Sequence, residues 1–151
     1  MNEYMKAAVE EARKGIKNKE GGPFGSVVVK NGKIVGRGHN QVVYKKDPTC
    51  HGEMQAIRDA CKTLDTFDLT DCELYTTGEP CPMCLAGCMW ANVKKVYFGC
   101  TIADNADIGF RDELFYKTLR IQPKEGFLEE LDRKECQALF EEYKKMDKTA
   151  Y

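Results

Sequence analysis

Two short segments carry residue types that together can do hydrolytic chemistry: His51-Gly52-Glu53 and Pro80-Cys81-Pro82-Met83-Cys84. One imidazole and two thiolates supply three ligands for a zinc ion. Three protein ligands leave a fourth position for water, which marks a catalytic rather than a structural site. Glu53 follows the His51 ligand closely, so a carboxylate can serve that water as proton acceptor. The implied reaction is attack by activated water on an electrophilic carbon, because zinc lowers the pKa of bound water from about 15.7 to about 7.

The same spacing dictates the elements that must position these groups. Pro82 suits the first position of a helix, where its missing N–H costs nothing, so Cys81 sits at the cap and Cys84 on the same side of the opening turn. Thiolates are stabilised at a helix N-terminus. His51 likewise opens a helix. Side chains two apart on a helix do not face each other, so His51 and Glu53 converge only beyond the helix end, where small Gly52 leaves room. Two helix N-termini aimed at one metal are therefore expected. A structural zinc site built from Cys81, Cys84, Cys88 and either Cys72 or His51 stays open as an alternative. A redox Cys-x-x-Cys would leave His51 and Glu53 without a role.

Around these segments, Met5, Ala8, Val9, Ala12 and Ile16 repeat at helical spacing within residues 4–17. Gly21 to Gly25 break that pattern. Residues 26–30 and 33–38 flank Asn31-Gly32, the strongest short hairpin signal. Residues 39–50 read as a loop ending in Asp47-Pro48-Thr49, and the helix that follows carries Met54, Ile57, Cys61 and Leu64 on one side. Residues 72–76, 82–91 and 94–98 read as strand, helix and strand, which predicts a right-handed parallel crossover. Further helices are expected over 111–120 and over 132–146, the latter with Leu139, Phe140 and Tyr143 inward, and a short strand over 120–122. The class is α/β, a mixed sheet covered by helices, in a single domain over 1–151.

A chain of 151 residues can bury a real core. Its 23 Lys and Arg against 24 Asp and Glu give a net charge of −1, which argues against a broad phosphate-binding surface and against a nucleic-acid partner. The N-terminus has no apolar signal core, and no apolar run approaches the roughly 20 residues that span a bilayer. A soluble cytoplasmic protein without a membrane partner is expected. Of eight cysteines, Cys61, Cys72, Cys88, Cys100 and Cys136 fall in patterned segments and read as small buried apolar residues.

His-x-Glu followed by Pro-Cys-x-x-Cys resembles the signature of the zinc-dependent nucleobase deaminases, the cytidine-deaminase-like superfamily, and the likeness extends along most of the chain. That resemblance implies a three-layer α/β/α fold with a mixed, roughly five-stranded sheet and one Zn2+ per subunit. Within the superfamily the chain is similar to the bacterial guanine deaminases. Gly22-Pro23-Phe24-Gly25 looks like their loop carrying an aromatic against the purine, and Asn40 falls at their ring-recognition asparagine. Trp90 falls at a pocket tryptophan, and Asp112, in Gly109-Phe110-Arg111-Asp112, at a second carboxylate beside the reacting amine. Tyr151 resembles a C-terminal tyrosine folded over the active site of a partner subunit. The resemblance thus implies hydrolytic conversion of guanine to xanthine and ammonia by a homodimer with exchanged C-terminal segments.

Each of these five positions also has a plain reading: a helix cap for Asp112, core filling for Trp90 and Phe24, a turn for Asn40, a frayed end for Tyr151. His-Gly-Glu departs from the commoner His-Ala-Glu and is also similar to fungal cytosine deaminases. Deamination of cytosine, or of adenosine in tRNA, remains an alternative to guanine, and a non-catalytic zinc module an alternative to an enzyme.

Overall fold

The computed structural model describes residues 1–151. Helix α1 (Glu3–Lys17) starts at Asn2, whose side chain accepts from the backbone N–H groups of Tyr4 and Met5 at 2.8 and 3.1 Å. Its buried stripe includes the expected Met5, Ala8, Val9, Ala12 and Ile16. Strands β1 (Gly25–Lys30) and β2 (Lys33–His39) form the expected antiparallel hairpin. Asn31 and Gly32 at its tip both take positive φ, 50° and 75°, as a two-residue turn matched to strand twist requires.

After α2 (Val42–Lys45) and α3 (Gly52–Leu64) come β3 (Cys72–Gly78), α4 (Pro82–Trp90), β4 (Lys95–Cys100), α5 (Ile102–Asp107), α6 (Asp112–Leu119), β5 (Leu128–Glu130) and α7 (Arg133–Lys144). The five strands lie in the order β2-β1-β3-β4-β5. β1 is antiparallel to β2 and β3, whereas β3, β4 and β5 run parallel.

Alternation along the strands splits the core into two layers. Val28, Leu74 and Val96 pack with Ala56, Ala60 and Cys88 of α3 and α4. Val27, Val29 and Tyr75 pack with Ala7 of α1. Near the end of β4, Cys100 joins Met5, Ala8 and Val9 of α1 with Cys136 and Phe140 of α7. The result is the three-layer α/β/α arrangement.

Four details depart from the sequence reading. The loop over 39–50 contains α2, whose opening N–H groups are taken by Asn40 Oδ1 (to Val42) and by the Glu20 carbonyl (to Val43 and Tyr44). The buried stripe of α3 is Ala56, Ile57 and Ala60, with Met54, Cys61 and Leu64 only half-buried. Gly36 and Gly38 explain this: a Cβ on either would meet α3 backbone at 2.5 Å, so α3 lies directly on β2 and only small residues fit between. No strand forms over 120–122, because Arg120 turns left-handed (φ 53°) to end α6 and Pro123 follows. The edge strand is β5 instead, pairing Leu128 with Val96. Finally, α5 is unforeseen: six residues are too few for periodicity, although its Thr101–Asp104 capping box is readable. No helix is long and apolar enough to cross a membrane.

Candidate active site

His51 is the N-cap of α3 and Cys81 the N-cap of α4, with Pro82 at the first helical position. An N-cap side chain ordinarily accepts from its own helix. Neither does so here, which leaves both side chains free to point past the helix ends. They meet: His51 Nδ1 lies 3.5 Å from Cys81 Sγ and 3.5 Å from Cys84 Sγ. All three donor atoms fall within 4.8 Å of one another. With Zn–S near 2.3 Å and Zn–N near 2.0–2.1 Å, tetrahedral angles place nitrogen about 3.5 Å from each sulfur. The donor set therefore fits zinc in chemistry and in spacing. Cys72 and Cys88 are packed in the apolar core and join no such group, so the four-ligand alternative has no structural counterpart.

Beside the three donors lies a small cavity of about 30 Å³. Its polar wall holds Glu53, Asp112, Glu79 and Asn40, and its aromatic wall holds Phe24, Phe110 and Tyr151. Glu53 is buried, and burial together with the nearby Cys81 thiolate pushes its carboxyl up to about 7. Burial and the same thiolate push Asp112 to about 6. Burial raises Glu79 as well. Cys81 is held down at about 4, chiefly by the hydrogen bond from Cys84 and then by His51, while burial drives Cys84 up. A divalent cation among these donors would deprotonate both thiols outright.

Asp112 is the first residue of α6, whose N-cap is Arg111, so it does not act as the cap. Its Oδ2 accepts from Asn105 Nδ2 at 3.2 Å, and the same amide donates to the Glu79 carbonyl. Asn40 is buried, and its Oδ1 accepts from Val42 N–H at 3.0 Å. That bond fixes the amide orientation and presents Nδ2 as a donor to the cavity. The Phe24 ring meets Phe110 edge-on at 4.8 Å and Phe140 at 5.6 Å. Tyr151 closes over Phe110 at 5.4 Å, and its hydroxyl accepts from Gly22 N–H at 2.7 Å.

Eight of the nine expected site residues thus converge. Trp90 does not. It is the last residue of α4, 87% exposed, and lies outside the cavity lining. The core-filling reading fails for it too, because the turn of α4 that buries Cys84, Leu85 and Cys88 leaves Met89 and Trp90 facing outward. Tyr151 lines the cavity of its own chain, with its hydroxyl on Gly22 N–H. Glu79 and Phe110 are additional lining residues. Both stand inside segments that the metal and Asp112 motifs already single out, directly before Pro80 and two residues before Asp112.

Comparison with known proteins agrees with this geometry. A family model described as the cytidine and deoxycytidylate deaminase zinc-binding region matches residues 1–100. The chain is 47% identical over 116 residues to a guanine deaminase of Bacillus subtilis, covering 77% of this chain and 74% of that protein. A tRNA-specific adenosine deaminase of Aquifex aeolicus is 43% identical over 95 residues, 63% of this chain and 62% of the relative. Among solved structures, guanine deaminase from Bacillus subtilis superposes with a TM-score of 0.76 at 38% identity, covering 100% of this chain and 99% of that one.

Proposed function

The chain belongs to the cytidine and deoxycytidylate deaminase zinc-binding family, and from that premise we propose that it hydrolyses guanine to xanthine and ammonia. The observation that carries the proposal is the pairing of Glu53 with a second carboxylate, Asp112, in a small cavity walled by Phe24, Phe110 and Tyr151. A free base has no sugar or phosphate to hold, so the protein must enclose it and address its edge directly. Likeness to the guanine deaminases extends through the segment that supplies Asp112 and on to the end of the chain.

The chemistry divides among the residues as follows. His51, Cys81 and Cys84 would hold the zinc, which when bound supplies a Lewis acid that makes water a nucleophile at neutral pH. Glu53 takes a proton from that water as its oxygen joins the amine-bearing ring carbon, and passes the proton to the adjacent ring nitrogen. A carboxyl near pH 7 in affinity suits both acceptance and return. Glu53 then carries the remaining proton of the added hydroxyl to the exocyclic amine, which Asp112 faces and holds through its protons; the carbon–nitrogen bond breaks, the amine departs as ammonia and a carbonyl remains. Asn40 Nδ2 donates to an acceptor on the base, and the Phe24 and Phe110 rings enclose its faces.

We also place the enzyme in the cytoplasm and in purine breakdown, and assign it a homodimeric state. Trp90, Met89 and Met83 on α4, with Leu114, Phe115 and Leu119 on neighbouring α6, are exposed apolar side chains of the kind a second copy would cover. An ammonia-release assay of the zinc-loaded protein against guanine, adenine, cytosine and their nucleosides tests the substrate, with an adenosine-containing tRNA stem-loop as the nucleic-acid arm. Guanine should be turned over at least about a hundredfold more efficiently than the others, which corresponds to roughly 2.7 kcal/mol of discrimination. Preference for cytosine or for the stem-loop would overturn the assignment.

A further inference from the structure

Behind Asn40, away from the metal, a half-buried polar chain runs from α1 to α3. His39 ends β2 and is 8% exposed. Its Nδ1 lies 3.0 Å from Glu11 Oε2 on α1, and its Nε2 lies 2.6 Å from Glu20 Oε2 in the loop after α1. The other Glu20 oxygen accepts from Gln41 Nε2 at 3.1 Å. Gln41 Oε1 accepts from Gln55 Nε2 at 2.6 Å, and Gln55 Oε1 from Arg58 Nη1 at 2.7 Å. The Glu20 carbonyl meanwhile takes the N–H groups of Val43 and Tyr44. Asn40 sits between the two side chains anchored to Glu20, its neighbours His39 and Gln41.

Ionised carboxylates only accept hydrogen bonds. A ring with a carboxylate at each nitrogen therefore satisfies both only by donating from both. We propose that His39 is held as an imidazolium by Glu11 and Glu20, and that this charged clamp is a positioning residue fixing the substrate-facing donor of Asn40. The clamp cannot slide: a Cβ on Gly15 would lie 2.6 Å from the His39 ring, and one on Gly21 would lie 2.1 Å from Asn40 Oδ1. The inference rests on the assignment of Asn40 to substrate recognition.

The two contacting carboxylates raise the His39 pKa above 6.5, the Glu11 hydrogen bond most and the Glu20 bond next, against a burial penalty. Glu11 shifts the opposite way, lowered mainly by its hydrogen bond to His39. The other charges facing this region are Lys14 of α1, Arg37 of β2, Lys45 of α2, and Arg58, Asp59 and Lys62 of α3. The five cations oppose a positive ring. They stand around an open groove in solvent, whereas Glu11 and Glu20 touch the ring, so the contacts prevail. The sign follows: the clamp is intact below pH 6.5 and remains so until pH rises through the elevated pKa. There the ring loses a proton, one carboxylate loses its donor, and the Asn40 loop is released.

Nitrogen-detected NMR of the zinc-loaded wild-type protein tests the charge directly, because the chain has only two histidines. Both ring nitrogens of His39 should be protonated at pH 7.5; a neutral tautomer there would overturn the proposal. In kinetics, His39→Gln should raise the guanine KM about tenfold, as loss of a charge-assisted bond implies, with kcat within about twofold. The wild type should show a rise in KM at alkaline pH, and His39→Gln should abolish it. Glu20→Gln, which keeps an amide in place, should shift that rise to lower pH and covers the case in which His39→Gln fails to fold. An unchanged KM and an unchanged alkaline limb in both variants would likewise overturn it. A protein inert towards every base would sink the reading of the site, while the NMR result would still decide the state of His39.

Discussion

Glu53 and Asp112 share one cavity but reach it by different routes, and their substitution should separate their roles. Glu53 comes from the opening turn of α3 beside a metal ligand, and Asp112 from the first position of α6, held by Asn105. Glu53→Gln keeps the shape and removes the proton acceptor, so it should retain one zinc per chain and lose about 10²–10⁴ in kcat, the span of general acid–base catalysis. Asp112→Asn should also retain zinc but lose less, because the amide still faces the amine. Metal content by mass spectrometry and ammonia release by a coupled assay read both outcomes. A Glu53→Gln protein with wild-type turnover would dismiss the proton route. At this scale the metal donors were legible because their types, order and spacing leave few other uses. Trp90 was not legible: an aromatic on an otherwise apolar helix says nothing about which side it faces, and α4 turns it outward at 87% exposure. Asn105 was equally hidden, since an amide inside a short helix carries no periodic signal.

Elements became visible in the sequence where a local rule acts alone and faded where tertiary contacts decide. The β1–β2 hairpin follows from Asn31-Gly32, and α1 from its apolar repeat with an Asn2 cap. By contrast, α2 exists because Glu20 and Asn40 take its opening N–H groups, partners that are remote or outside the helix pattern. The edge strand β5 reads Leu-Glu-Glu, polar enough to pass for a loop until β4 supplies its ladder. Close helix–sheet approach is similarly silent. A Cβ on Gly25 would fall 2.1 Å from the Ala8 carbonyl and 2.4 Å from the Ala12 nitrogen, both backbone atoms of α1. Gly25→Ala must therefore push α1 off the sheet, at a cost of about 3 kcal/mol by analogy with overpacked cores. Urea unfolding of the zinc-loaded protein measures this, and a midpoint equal to wild type would show that α1 does not rest on β1 as described.

For the molecule as a whole, the hairpin signal and the strand–helix–strand pattern anticipated a mixed sheet covered by helices, the family resemblance implied its three layers, and the observed order β2-β1-β3-β4-β5 completes it. What patterning could not convey is that this order brings the start of α3 and the start of α4 to one place. Parallel pairing of β3 with β4 carries α4 across the face on which α3 already lies, so both N-termini open at the same end of the sheet. The antiparallel β1 runs the other way, and the Phe24 loop that leads into it reaches the cavity from across that end.

Helix α4 is nine residues long, with Cys81 and Cys84 at its beginning and Trp90 at its end. A partner that covers the tryptophan would grip the same rod that holds the sulfurs, so assembly state and metal retention become one variable. Specific activity should then fall as the protein is diluted, and a chelator should strip diluted samples faster than concentrated ones. Trp90→Glu should bring that decline to higher concentration in sedimentation and rate measurements alike. Rates and stripping times indifferent to dilution in both proteins would mean the outward end of the rod is idle.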